Sequence, residues 1–137
     1  MTSSHRLFAA LLCAVAACMP LASESSGEIT IQTARDTYGP GETVVVTMIN
    51  GGVAALEYNS CPTRLERREG DKWILLESLM SCSEKGFPLA PNAQAVIDVK
   101  LDDSVQRGIY RYRFGFIRVN DAALPDERIV SNVFEIK

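Results

Sequence analysis

The sequence predicts an all-β domain, an antiparallel β-sandwich of seven to eight strands, and three observations predict it. Short segments rich in Val, Ile, Thr, Tyr and Phe recur between residues 28 and 137, and β-branched and aromatic side chains suit a pleated, half-buried surface. Clusters of Gly, Pro, Asn and Asp separate these segments, as turns do. Within them apolar and polar residues alternate with a period of two, and no stretch sustains the period of a helix. Antiparallel strands with one face in a core and one in water produce that alternation.

Ahead of the domain, Met1 to Arg6 is short and polar with one firm positive charge at Arg6, and Leu7 to Ala17 is an apolar run. A membrane span takes about twenty apolar residues, so this run is too short for one and has the form of a signal-peptide core. It closes on Val15-Ala16-Ala17-Cys18, which resembles the lipobox of bacterial lipoproteins: small residues at the cut, an aliphatic one before them, and a cysteine that becomes the new N-terminus. The resemblance implies a diacylglycerol on the Cys18 thiol, and in many bacteria a further acyl chain on its amine. Two or more chains give stable anchoring where one gives only marginal binding. An ordinary secretory cut near Ala22 or Ser23 is the competing reading, and it would place Pro20 or Leu21 where a small residue is needed. Cys13 follows Leu11-Leu12, which suits the lipoprotein peptidase badly, and so falls in the discarded peptide. The expected organisation is a signal peptide over residues 1–17, a flexible tether over 18–27 and one domain over 28–137.

Within the domain, Glu28 to Thr33 alternates with Ile29 and Ile31 on one face. Tyr38-Gly39-Pro40-Gly41-Glu42 is a compact turn, because proline presets φ and glycine tolerates positive φ. Thr43 to Asn50 reads as the strongest strand, with Val44, Val46 and Met48 inward, and Asn50-Gly51-Gly52 ends it. Ala54 to Asn59 is weaker. Arg64 to Glu69 and Lys72 to Glu77 flank Gly70-Asp71, a two-residue connection that favours a tight hairpin; Trp73 and Leu75 share a face there, with Leu65 opposite them across the pair. Ser78 to Pro88 has no period and reads as a loop, followed by a turn at Leu89-Ala90-Pro91-Asn92. Gln94 to Leu101 alternates cleanly, with Ala95, Ile97, Val99 and Leu101 inward. Gly108 to Val119 is the most diagnostic strand: Tyr110, Tyr112, Phe114 and Phe116 take one face, Arg111 and Arg113 the other. Asn120 to Glu127 is loop-like, and Ile129 to Ile136 is a last strand with Phe134 and Ile136 inward.

Gly108-Ile109-Tyr110-Arg111 resembles a tyrosine corner, in which a phenol hydroxyl bonds back to the preceding connection. The order of Tyr38-Gly39-Pro40-Gly41-Glu42, Asn50, Gly70-Asp71-Lys72-Trp73, Leu89-Ala90-Pro91, Gly108-x-Tyr110 and Ser131-Asn132-x-Phe134-x-Ile136 resembles the immunoglobulin-like domains of exported bacterial lipoproteins. It is more distantly similar to domains of the intracellular proteinase inhibitor type. The resemblance implies an immunoglobulin-like sandwich and a binding rather than a catalytic role; every motif in it is a turn or core signature.

Composition narrows the function further. The 137-residue chain carries 14 Lys+Arg against 17 Asp+Glu, and loss of Arg6 leaves 13 against 17, a net charge of −4. A mildly acidic chain gives no electrostatic reason to bind nucleic acid. The single histidine, His5, lies in the signal. A mature chain without histidine has no Ser-His-Asp or Cys-His nucleophile and no His-ligated metal, so no catalytic residue, metal site or cofactor is expected. Cys61 and Cys82 remain, and an even pair in an oxidising compartment is most simply one disulfide. The competing reading is a reactive dithiol, but neither a Cys-x-x-Cys spacing nor a histidine is present to lower a thiol pKa.

Three further patterns have bland readings that outweigh functional ones. The Arg/aromatic alternation at 110–114 fits a core row backed by solvated arginines better than a base-stacking strand. Arg64, Arg67 and Arg68 among Glu66 and Glu69 fit a solvated ion-paired face better than an anion site. Asp98, Asp102, Asp103, Asp121, Asp126 and Glu127 lack the spacing of a calcium loop. The functional expectation is a non-enzymatic module, lipid-anchored at Cys18 on the extracytoplasmic side of the bacterial envelope, that binds an envelope protein or serves a structural role. Met19 is not the aspartate associated with inner-membrane retention, which favours the outer membrane where two exist. The alternative function is inhibition of an exported or invading protease through the loops Asn50 to Val53, Ser78 to Pro88 or Asn120 to Asp126.

Overall fold

In a computed structural model that describes residues 29–60, 64–76 and 83–137, twelve strand segments form an all-β immunoglobulin-like sandwich, antiparallel except where β2 pairs with β12. Eight have four or more residues: β1 (Ile29–Thr33), β3 (Thr43–Asn50), β4 (Leu56–Asn59), β5 (Leu65–Glu69), β6 (Lys72–Leu75), β8 (Gln94–Lys100), β9 (Gly108–Tyr112) and β10 (Phe116–Val119). The others are short: β2 (Thr37–Tyr38), β7 (Phe87–Leu89), β11 (Ala122–Ala123) and β12 (Phe134–Ile136). The described strands pair as β1-β3-β8 in one sheet and β2-β12-β9-β5-β6 in the second. A third sheet, β11-β10-β4-β7, is built from the connecting segments at one end.

The core lies between the first two sheets. Ile31, Val44, Val46, Met48, Ile97 and Val99 come from one face, and Tyr38, Leu65, Tyr110, Tyr112, Phe134 and Ile136 from the other. β8 shows the cause most plainly, since its residues alternate strictly between exposed and buried. Phe134 stands between Tyr38 at 5.4 Å, edge-on, and Tyr110 at 6.2 Å, stacked. Tyr112 meets Phe114 edge-on at 5.0 Å, and its burial raises the phenol pKa. The tyrosine corner is formed: the Tyr110 hydroxyl donates to the Gln106 carbonyl at 2.7 Å.

The turns follow their residues. At Tyr38–Glu42, Gly41 has φ +74°, and the Gly39 N–H donates to the Glu42 carboxylate at 2.5 Å. That bond, more than any other cause, lowers the Glu42 pKa. Pro91 and Asn92, the latter at φ +60°, make the tight turn before β8, closed by the Ala93 N–H on the Ala90 carbonyl at 3.2 Å. Asn120 and Asp121 have φ +50° and +64° and join Val119 directly to Ala122, a two-residue hairpin inside the segment expected to be a loop.

Further expectations need revision. Of the last strand expected over Ile129 to Ile136, only Phe134–Ile136 forms one. Gly108 to Val119 is two strands rather than one: β9 lies between β12 and β5, and after residues 113–115 the chain enters β10 in the third sheet. The inward parity changes there, so Tyr110, Tyr112 and Phe114 are buried, Phe116 is half-exposed and Ile117 takes the core position. Gly115 permits the change, since its backbone passes so close to Asn59 that a Cβ would overlap that side chain. Leu65 does not face Trp73 and Leu75. The two-residue hairpin sets Glu66 against Leu75 and Arg68 against Trp73, so those four share the outer face while Leu65 sits inward against Tyr112. Finally, Phe87–Leu89 is a strand paired with β4, within a stretch read mostly as loop.

The corner bond joins the start of β9 to the connection before it. Tyr110→Phe is expected to lower unfolding free energy by about 1 kcal/mol, read from the urea midpoint at unchanged slope. Phe134→Ala, which empties the centre of the aromatic column, is expected to cost about 3–5 kcal/mol.

Candidate functional site

Buried polar side chains are the first place to seek chemistry, because an unpaired one costs free energy and a paired one reveals its task. Among the described residues four are buried: Asn50, Asn59, Glu66 and Ser131. Asn50 ends β3. Its amide donates to the carbonyls of Ala54 at 2.9 Å, Leu89 at 3.1 Å and Ala90 at 3.2 Å, and its Oδ1 accepts from the Gly52 N–H at 3.0 Å. One side chain therefore pins the loop after β3 to the segment before β8. Val53 is displayed at the tip of that loop with 96% of its surface exposed.

Asn59 does the same at the end of β4. Its amide donates to the carbonyls of Ser83 and Lys85, both at 2.8 Å. Cys61 and Cys82 lie outside the described residues, as do Cys18 and the expected signal and tether. The Asn59 bonds nonetheless hold together the described residues that flank the two cysteine-bearing segments. Ser131 replaces a ladder contact, its hydroxyl accepting from the Tyr112 N–H at 2.9 Å.

Around these latches the third sheet presents aromatic groups at the end of the domain. Tyr58 packs on Phe87 at 5.9 Å and on Phe114 at 6.1 Å, and Phe87 is itself exposed. Arg118 lies over the Phe116 ring at 4.1 Å and pairs with Glu57 at 3.8 Å.

The fourth buried polar group sits on the outer face of the larger sheet. Glu66 is only 4% exposed and accepts from Arg111 Nε at 2.5 Å and from Arg113 at 3.3 Å. Arg113 also pairs with Asp126, and Arg111 lies over the Trp73 ring at 4.3 Å. A carboxylate buried this far is held by two cations, and removing it would leave Arg111 without its counter-ion and Arg113 with Asp126 alone. The arginines of the β5 hairpin do not pool into an anion site. Arg67 pairs with Glu69 and Gln106, and Arg68 Nε donates to the Gly70 carbonyl at 3.1 Å. The acidic candidates are dispersed too: Asp102 accepts from Ser104, which lowers its pKa, and Asp126 serves Arg113. No group of three His, Cys, Asp or Glu side chains among the described residues is placed to hold a metal ion.

Sequence reasoning missed Asn59 and Glu66. An asparagine closing a strand, as Asn50 also does, was a usable signal for the first. Glu66 had none, because its partners lie 45 and 47 residues away.

No protein-family model matches the chain, and neither does any curated protein. Two solved structures it is similar to are the ASH / PapD-like domain of human CEP192 (PapD-like domain 7) and the Pseudomonas fluorescens alkylpurine DNA glycosylase AlkC bound to DNA containing an abasic site analog. The first is 15% identical, covering 97% of this chain and 94% of that one, with a TM-score of 0.38. The second is 15% identical, covering 82% of this chain and 31% of that one, with a TM-score of 0.37. The chain thus spans under a third of the glycosylase.

Asn59→Ala is expected to lower stability by about 2 kcal/mol, since it orphans two carbonyls at once. Hydrogen exchange in residues 83–89 should rise more than in β9, whereas a uniform rise would show that Asn59 is no local latch.

Proposed function

We propose that this chain is a bacterial lipoprotein whose single immunoglobulin-like domain is a non-enzymatic protein-interaction or structural module, tethered through Cys18 on the extracytoplasmic side of the cell envelope. The observation that carries the interaction reading is the use of the buried polar groups. Asn50, Asn59, Glu66 and Ser131 are each engaged within the fold, which leaves recognition to loops, faces and strand edges. Val15-Ala16-Ala17-Cys18 supports the tether. Ten residues separate Cys18 from the start of β1, a reach of about 35 Å when extended.

Radiolabelled palmitate should be incorporated by the wild-type chain and not by Cys18→Ala, which should also leave the membrane fraction. Label that persists in the variant would overturn the anchor.

The proposal includes a Cys61–Cys82 disulfide, supported by the Asn59 bonds to Ser83 and Lys85. Denatured without reductant, the mature chain should show no free thiol at all, the Cys18 sulfur being alkylated by its lipid, and reduction should lower its stability by about 3 kcal/mol.

One observation favours a second reading, protease inhibition: Val53 is almost fully exposed on a loop pinned by Asn50, the form of a rigid loop that enters a cleft. A panel of serine and cysteine proteases tests it, and no inhibition at micromolar domain would discard it.

A further inference from the structure

The two facing sheets differ in width. One has three strands and the other five. At about 4.8 Å per strand the larger sheet overhangs by about 10 Å. On one side they are in step: β1 leads into β2 after three residues, and Thr33 N–H donates to Asn132 Oδ1 at 2.7 Å, tying β1 to the approach to β12. The overhang therefore falls on the other side, where β8 is the edge of the small sheet and β6 the edge of the large one. It explains an otherwise odd exposure. Ile74 pairs with Arg67, and Arg67 pairs with Tyr110, so all three lie on the inward face, yet Ile74 is 39% exposed.

Beside this uncovered floor, where Ile74 lies among Arg67, Glu69 and Lys72, runs the edge of β8 that no described strand pairs with. Asn50 N–H bonds the Ala93 carbonyl at 3.0 Å, and Leu101 N–H bonds the Glu42 carbonyl at 2.9 Å, so the odd-numbered residues of this stretch face β3. By the alternation of an antiparallel ladder, Gln94, Val96, Asp98 and Lys100 direct their N–H and C=O groups away from it. No described strand pairs with that edge. It is seven residues long, free of proline, and bears Val96 at 56% exposure. Sheet edges are usually blunted or covered; this one carries a single charge of each sign, at Asp98 and Lys100, and no described strand covers it.

We infer that the β8 edge accepts an extended strand from a partner polypeptide. The inference rests on the interaction reading above and names the surface and the kind of partner. Inward side chains of the added strand would be apolar and lie over Ile74. Outward ones would place a basic residue opposite Asp98 and an acidic one opposite Lys100.

No described segment of the chain supplies this strand. Ser83 and Lys85 are bonded to Asn59, and β7 is paired with β4. A second copy matches poorly. Full-length antiparallel pairing about a two-fold at Ile97 would set Asp98 against Val96 and make the two Asp98 carboxylates diagonal neighbours, so no charge finds its opposite.

The test joins the strand Glu-Val-Lys-Val-Thr-Val-Thr to Lys137 of the full exported chain through about fifteen Gly/Ser residues, which span about 21 Å on average. Amide exchange is then read by NMR. In the unfused chain the Val96, Asp98 and Lys100 amides should exchange fast and those of Ile97 and Val99 slowly. The fusion should slow the first three at least tenfold. Swapping Glu and Lys in the added strand should reduce that protection about threefold to tenfold, and the double variant Asp98→Lys, Lys100→Glu should restore it. Val96→Pro removes a free-edge N–H and no bond to β3, so it should abolish the protection with the melting transition retained.

No added protection, or protection indifferent to Val96→Pro, would overturn the inference. So would slow exchange of these amides in the unfused chain at every concentration, which would mean the chain covers its own edge. Protection that rises with concentration alongside a dimer in sedimentation would assign the edge to a second copy instead. These outcomes leave palmitate labelling and cross-linking to other envelope proteins untouched, so the edge can fail while the module reading stands.

Discussion

The inward aromatic row of Tyr110, Tyr112 and Phe114 is the constraint on which the rest of the architecture depends. All three are buried within five residues of chain, and they are among the largest side chains of the core. Phe134 and Tyr38 complete the column from the neighbouring strands. Rings of this size bury large areas and pack with directional edge and stacked contacts, so they determine which face of β9 points inward. Leu65 in β5 and Phe134 in β12 follow from their pairing with it.

Where the row ends, the chain changes sheets. Residues 113–115 leave the core layer at Gly115, pressed against Asn59, and β10 continues beside β4. Two asparagines then stabilise the irregular end of the sandwich. Asn50 and Asn59 supply amide hydrogens to carbonyls left without ladder partners, which lets long connections become an ordered third sheet. The aromatic surface of Phe87, Tyr58 and Phe116 is a consequence of that ordering.

Charge plays a quieter part. Glu66 is nearly buried between Arg111 and Arg113, one layer outside the core, and Arg111 is stacked on Trp73. This cluster covers the outside of the same strand whose inside carries the aromatic row. β9 is therefore specified on both faces, while β8 is specified on its inward face and along one edge.

The sequence by itself determined the strand alternation, the compact turns and the tyrosine corner, because each is written in residues near one another. Period two appears within a strand, and positive φ at Asn92 or Gly41 is a local demand of a turn. Tertiary structure alone decided the pairing order, the break of Gly108 to Val119 into two strands, the burial of Glu66 and the open edge of β8. Each depends on which distant segments become neighbours: Glu66 meets Arg111 across 45 residues, and among the described strands β8 has no second neighbour, β7 being paired with β4. Hydrogen bonds between strands take any residue except proline as donor, so pairing leaves little trace in side-chain identity. It is settled by the fit of the whole core.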